Sequence, residues 1–132
     1  MNLLFKIITF FMIIPFIVHC THIYIPDKSR ESMIYEQSLS EIFDGKHLYV
    51  DYKFGKYSML ELYDEEHNTA VLFLHGRGLS PNEQNLAYPV RVTLSNIYNT
   101  YSLQLPVLKK QSTYSEYTKI FYDSDERILS AL

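Results

Sequence analysis

Cysteine is nearly missing from this chain. Cys20 is the one thiol in 132 residues, so no disulfide can form within it. Tryptophan is absent, although tyrosine, at twelve residues, is abundant; the composition is otherwise that of an ordinary soluble globular protein. No basic stripe is present: Lys and Arg are scattered and the net charge is −3, which argues against a nucleic-acid partner. Acidic or basic tails, internal repeats and low-complexity tracts are missing too, and the length suits one small domain.

Long apolar runs are confined to the start of the chain. Lys6 is followed by Ile7 to Val18, apolar except for Thr9 and Pro15. Such a run matches the core of a signal peptide and falls short of the ~20 residues that cross a bilayer. Residues 1–20 are therefore expected to act as an export signal, with Val18 and Cys20 preceding a cut at Thr21, or to remain as a membrane tether. Lipidation of Cys20 fits less well, because His19 occupies a position that normally holds a small residue. His19-Cys20-Thr21-His22 has the residue types of a metal site but no fixed scaffold at a signal junction. The expected location is outside the cytoplasm, in a periplasm or cell envelope, and residues 21–132 form the expected domain.

Within that domain, Thr21 to Arg30 reads as an exposed lead-in. A helix is expected over Glu31 to Phe43, with Met33, Ile34, Leu39, Ile42 and Phe43 near one face and Asp44-Gly45 as its stop. His47 to Tyr52 and Tyr57 to Tyr63 alternate as strands of an antiparallel hairpin about Lys53-Phe54-Gly55-Lys56. Ala70 to Leu74 is apolar throughout, the pattern of a strand covered on both faces. A helix over Tyr88 to Tyr98 and a strand over Thr100 to Leu105 complete a βαβ unit, which makes these two strands parallel. A last helix opens near Asp123, capped by Ser124 or Asp125.

The stretch His75-Gly76-Arg77-Gly78 immediately follows the apolar strand. Ligands of open α/β sheets bind at the carboxyl ends of the strands, where this loop falls. It fits neither G-x-G-x-x-G nor G-x-x-x-x-G-K-[ST], so a nucleotide site is poorly supported. A loop without Cβ atoms at Gly76 and Gly78 can instead turn backbone N–H groups toward a developing oxyanion.

Strand plus His75-Gly76-Arg77-Gly78 resembles the His-Gly-x-Gly oxyanion loop after the third strand of α/β-hydrolases. Ser102-Leu103-Gln104-Leu105-Pro106-Val107-Leu108, Tyr114-Ser115-Glu116-Tyr117, Phe121 and Glu126-Arg127-Ile128 follow in the order seen in an exported bacterial branch of that superfamily whose function is undefined. The resemblance spans roughly Tyr35 to Leu132. It implies the N-terminal portion of an α/β-hydrolase sheet, a hairpin followed by a βαβ unit. Gly76, Arg77 and Gly78 would form the oxyanion loop, with the N–H of Arg77 or Gly78 as donor. His75 would brace the loop, or else be a strand-end histidine with ordinary hydrogen bonds. Arg77 would face the pocket or lie in solvent, and Tyr114 and Tyr117 would line a pocket wall or simply pack a loop. No metal or organic cofactor is implied.

The family's other catalytic parts have no counterpart. G-x-S-x-G is missing, and Gly78-Leu79-Ser80-Pro81-Asn82 imitates it badly: Pro81 removes the N–H that should follow the nucleophile. After His75 there is no further histidine. The resemblance therefore implies a hydrolase cut short before its nucleophile and inactive alone. A second reading is one half of a split enzyme, with the triad on a completing polypeptide. A third is a small exported binding or envelope protein in which the glycine loop is only a turn. On the family's plan the third strand lies between the fourth and the fifth. Ala70 to Leu74 is then expected to be a bare edge, and the chain alone marginal, molten or aggregated.

Overall fold

The computed structural model describes residues 24–42 and 44–132; the expected export signal over 1–20 lies outside them, as does Phe43. The first helix, α1, spans Lys28–Leu39, three residues earlier than the apolar pattern suggests and shorter at its far end. Asp27 starts it, accepting a hydrogen bond from the Arg30 backbone N–H at 3.0 Å. Its buried residues are Glu31, Tyr35 and Ser38, whereas Met33 is half exposed. The inward face is thus mixed, with Tyr35 and the half-buried Ile34 beside Glu31 and Ser38, and an ion pair described below ties Glu31 down.

Strands β1 (Lys46–Tyr52) and β2 (Gly55–Leu62) form the expected antiparallel hairpin, with Tyr52 opposite Gly55. Gly45, just before β1, has φ +105°, and a Cβ there would meet the Glu61 carbonyl oxygen at 2.7 Å. It serves the close approach of the chain to β2 rather than the end of a helix. Strand β3 is Ala70–Leu74, as expected from its sequence.

Helix α2 spans Ala87–Leu94, ending short of Tyr98. The Glu83 carboxylate accepts the free N–H groups of Asn85, Leu86 and Ala87 at its start. Arg91 is the buried residue of this helix, hydrogen-bonded to the Asn82 side chain at 3.0 Å, and Ile97 is largely exposed. Strand β4 (Asn99–Leu103) then pairs parallel with β3 and antiparallel with β2. The chain is an α/β protein with a four-stranded mixed sheet in the order β1-β2-β4-β3.

Beyond β4, a short helix α3 (Tyr114–Tyr117) carries a capping box between Thr113 and Glu116. A 3₁₀ turn over Thr118–Ile120 leads into α4, Phe121–Ala131. Neither Ser124 nor Asp125 caps that helix, which begins earlier; Asp123 sits in its first turn and is buried.

Two apolar clusters form the core. Tyr57, Met59 and Leu103 are buried on one sheet face, with Leu72 and Tyr101 beside them and Ile128 and Ala131 of α4 over them. Val107, Leu108, Tyr117 and Ile120 form the second, with Ile34 and Tyr24 against it. Strand β3 is not the strand covered on both faces that its apolar run suggests, but the edge strand expected from the hydrolase plan. Among the described residues it has a strand partner on one side only, its three middle residues are half-buried, and Leu74 is 49% exposed. An apolar sequence on both sides of a strand reports a preference for cover, and the sheet order does not supply it. Among the described residues, no helix is long and apolar enough to cross a membrane.

Candidate functional site

The loop after β3 is a tight turn. The Leu79 N–H donates to the Gly76 carbonyl at 3.2 Å, closing a four-residue turn with Gly78 third and at φ +69°. Turns with a left-handed third residue favour glycine. Gly76 has no such need, because its φ is not positive; a Cβ there would touch Leu79 Cδ1 at 3.3 Å. Of the two glycines in the motif, only Gly78 is demanded by backbone conformation. Neither the N–H of Arg77 nor that of Gly78 donates to another group among the described residues. Exchanging Gly78 for Ala should cost about 1–2 kcal/mol in a denaturant titration, from the left-handed backbone alone. The new Cβ would also lie 3.3 Å from Arg30 Nη2.

His75 is buried, and both of its ring nitrogens are occupied. Nδ1 lies 2.8 Å from the Gly76 carbonyl oxygen and must donate to it. Nε2 therefore accepts, taking the Leu105 N–H at 2.8 Å and Gln104 Nε2 at 3.0 Å. A neutral imidazole thus ties the glycine turn to the end of β4. Burial is the largest influence on it and lowers its pKa to about 4, with the Arg127 charge adding to that and the Gly76 bond opposing it.

An imidazole with a folded pKa below its unfolded value near 6.5 is protonated more readily in the unfolded chain. Stability is then whole above pH ~6.5 and declines as the pH falls toward 4, at about 1.4 kcal/mol per unit. Urea midpoints at pH 7.5 and pH 5 should differ by about 2 kcal/mol in the parent chain, and His75→Gln should flatten that slope. An equal slope in the variant would show that the imidazole is not held as described.

Behind His75 lies a buried polar chain. Arg127 is fully buried and donates Nη1 to the Gln104 carbonyl at 2.6 Å. The same guanidinium grips both Glu31 oxygens, at 2.8 and 3.0 Å, and takes Asp123 Oδ1 through Nε at 2.8 Å. Burial works against its charge, but the hydrogen bond and charge of Glu31 and the charge of Asp123 outweigh that, and its pKa is raised. Connections thus run from α1 through Arg127 and Gln104 to His75 and the turn. Asp123 and Arg127 are spaced i,i+4, a readable helix pairing. Glu31 lies 96 positions from Arg127 and has no local signal.

In front of the turn is a cavity of about 160 Å³ at the carboxyl ends of β3 and β4. His75, Gly76 and Arg77 form one side of it, and Tyr114, Tyr117 and Phe121 another. Leu105, Pro106, Ile120 and Ser124 complete the lining, which is mostly apolar and includes no acidic residue. The four loop candidates and both tyrosines are thereby brought around one space, except that Gly78 lies just behind it, against Tyr117 and Arg30. Tyr117 is buried and accepts the Leu108 N–H at 3.0 Å, whereas Tyr114 is 71% exposed. Arg77 is solvent-exposed, with its guanidinium carbon 5.7 Å from the Tyr117 ring centroid. Sequence reading misses Phe121 as lining and Arg30 as a neighbour of Gly78, since both arrive from distant segments.

Among the described residues, no cluster of three or more His, Cys, Asp or Glu is arranged to hold a metal ion. The architecture and site define an α/β protein with a small apolar cavity beside a glycine turn at the carboxyl edge of its parallel strands. Comparison of the chain with protein families, curated proteins and solved structures finds no match.

Proposed function

We propose that this chain is the N-terminal part of an exported α/β-hydrolase-like domain and carries the oxyanion loop without the nucleophile. The glycine turn is the observation that carries the reading. It follows β3 at the carboxyl end of a parallel pair, leaves the N–H groups of Arg77 and Gly78 without acceptors among the described residues, and opens on an apolar cavity. Two N–H donors of this kind, held rigid by the His75 bonds, suit the oxygen that gains charge when an acyl carbonyl is attacked. The strand order β1-β2-β4-β3 supports the same reading, since the third strand lies outside the fourth. His75 is a positioning residue here, because neither nitrogen is free to take a substrate proton.

The reaction would be hydrolysis of an ester, thioester or amide through an acyl-serine, with the serine, acid and catalytic histidine supplied by other polypeptide sequence. Alone, the chain should turn over no p-nitrophenyl ester above background. Intact-mass spectrometry after a fluorophosphonate probe should find no adduct, and an adduct on Ser80 would overturn the assignment. Sequencing the native transcript beyond the Leu132 codon tests the rest: the reading requires G-x-S-x-G and a late histidine in that frame or on a neighbouring one.

A further inference from the structure

The charge around the cavity is one-sided. Arg77 is the charged residue of its lining, no carboxylate lies there, and His75 is neutral above a pH of about 4. A second guanidinium, that of Arg30, lies behind the turn. Its Nη2 would be 3.3 Å from a Cβ on Gly78, and its Nη1 reaches the Tyr117 hydroxyl at 3.4 Å. Of the acids nearest in sequence to the lining, Glu116 caps α3, Asp123 holds Arg127 and Glu126 pairs with Lys53, whereas Asp125, next to Ser124, is exposed and is not part of the lining. Neither Arg30 nor Arg77 has a carboxylate partner among the described residues.

The cavity sets the size of the apolar part. At about 160 Å³ it matches the ~150 Å³ apolar cavities that hold a benzene ring. Aromatic walls at Tyr114, Tyr117 and Phe121 suit a flat body.

We propose that the pocket selects small organic acids, with a ring-sized apolar body in the cavity and the anionic group on the Arg77 guanidinium, apart from the turn N–H groups that would face the oxyanion. For the enzyme suggested above, the acyl group transferred would carry a second, anionic substituent, and this extension rests on that reading. Arg77 is the specificity-determining residue, and Arg30 strengthens the positive potential from behind.

Benzoate and benzamide separate charge from shape, because both have the ring and a carbonyl oxygen. Each is titrated into the full-length chain and followed by 1H–15N spectra, with Arg77→Gln and Arg77→Lys in parallel. Benzoate should bind about ten-fold more tightly than benzamide, since an ionised acceptor strengthens each hydrogen bond it takes. The shifts should centre on Gly76, Gly78 and Tyr117. Arg77→Gln should erase the preference, and Arg77→Lys should keep most of it. Equal affinity for the two probes overturns the proposal and leaves the acyl pocket standing. Binding of neither overturns both. A preference that survives Arg77→Gln, or shifts that centre on Lys109 and Lys110, also overturns it.

Discussion

Replacing Arg127 with methionine should lower the stability of this chain at neutral pH by about 3–5 kcal/mol, enough to unfold a marginal domain. The guanidinium is fully buried and makes five hydrogen bonds, to Glu31 twice, Asp123, the Gln104 carbonyl and the Tyr52 hydroxyl. The rings of Tyr52 and Tyr57 flank it at 5.1 and 5.5 Å. Without it, two buried carboxylates face each other with no cation between them. Breaking a buried pair by removing one partner costs about 3–5 kcal/mol. A small domain has ~5–15 kcal/mol in all, and one at the low end of that range would lose most of its stability. Arg127→Lys should not rescue, because an ammonium cannot span Glu31 and Asp123 in one plane. Changing Glu31, Asp123 and Arg127 together to apolar residues of similar volume should restore much of the loss, since the network's desolvation penalty goes with it. Thermal melts followed by circular dichroism decide the matter. A single Arg127→Met variant that melts within ~1 kcal/mol of the parent would show that the network does not hold α1 and α4 to the sheet.

The second large effect concerns association. Strand β3 reads Ala-Val-Leu-Phe-Leu, carries no charge or proline, and has its outer edge unpaired among the described residues. Such an edge is a template for another strand. The purified chain is expected to self-associate with rising concentration, and a single lysine at the exposed end of the strand, Leu74→Lys, should raise the concentration at which this begins by about ten-fold. Light scattering after size-exclusion chromatography measures it. The substituted side chain is 49% exposed and does not line the cavity, so packing is little disturbed. A parent chain that stays monomeric at high concentration would mean that the edge is covered by some other part of the polypeptide.

Both effects were only partly legible from residues. The bare edge of Ala70–Leu74 follows from the hydrolase resemblance and its strand order, whereas local periodicity alone reads the same five residues as a covered central strand. Periodicity also places the inward face of the first helix at Met33, Ile34 and Leu39. In the folded chain that helix buries Glu31, Tyr35 and Ser38 most deeply, with Ile34 and Leu39 half-buried and Met33 exposed. Apolar spacing cannot signal a helix docked through a carboxylate to a guanidinium 96 positions away. The last helix shows the same failure: Ser124 or Asp125 reads as its cap, whereas the helix starts at Phe121 and Asp123, in its first turn, is half of an i,i+4 pair with Arg127.

What the sequence determined by itself was local chemistry. The hairpin strands, the extent of β3 and a backbone freed by glycine just after it each depend on a few neighbouring residues, and backbone sterics and turn rules act at that range. Tertiary structure alone decided the rest. It made His75 a neutral linker, because one nitrogen had to donate to Gly76 while the other accepted from Leu105. It also brought Arg77, Tyr117 and Phe121 around one cavity. These outcomes rest on burial and on hydrogen bonds between distant segments, and desolvation is a property of the assembled fold rather than of any stretch within it.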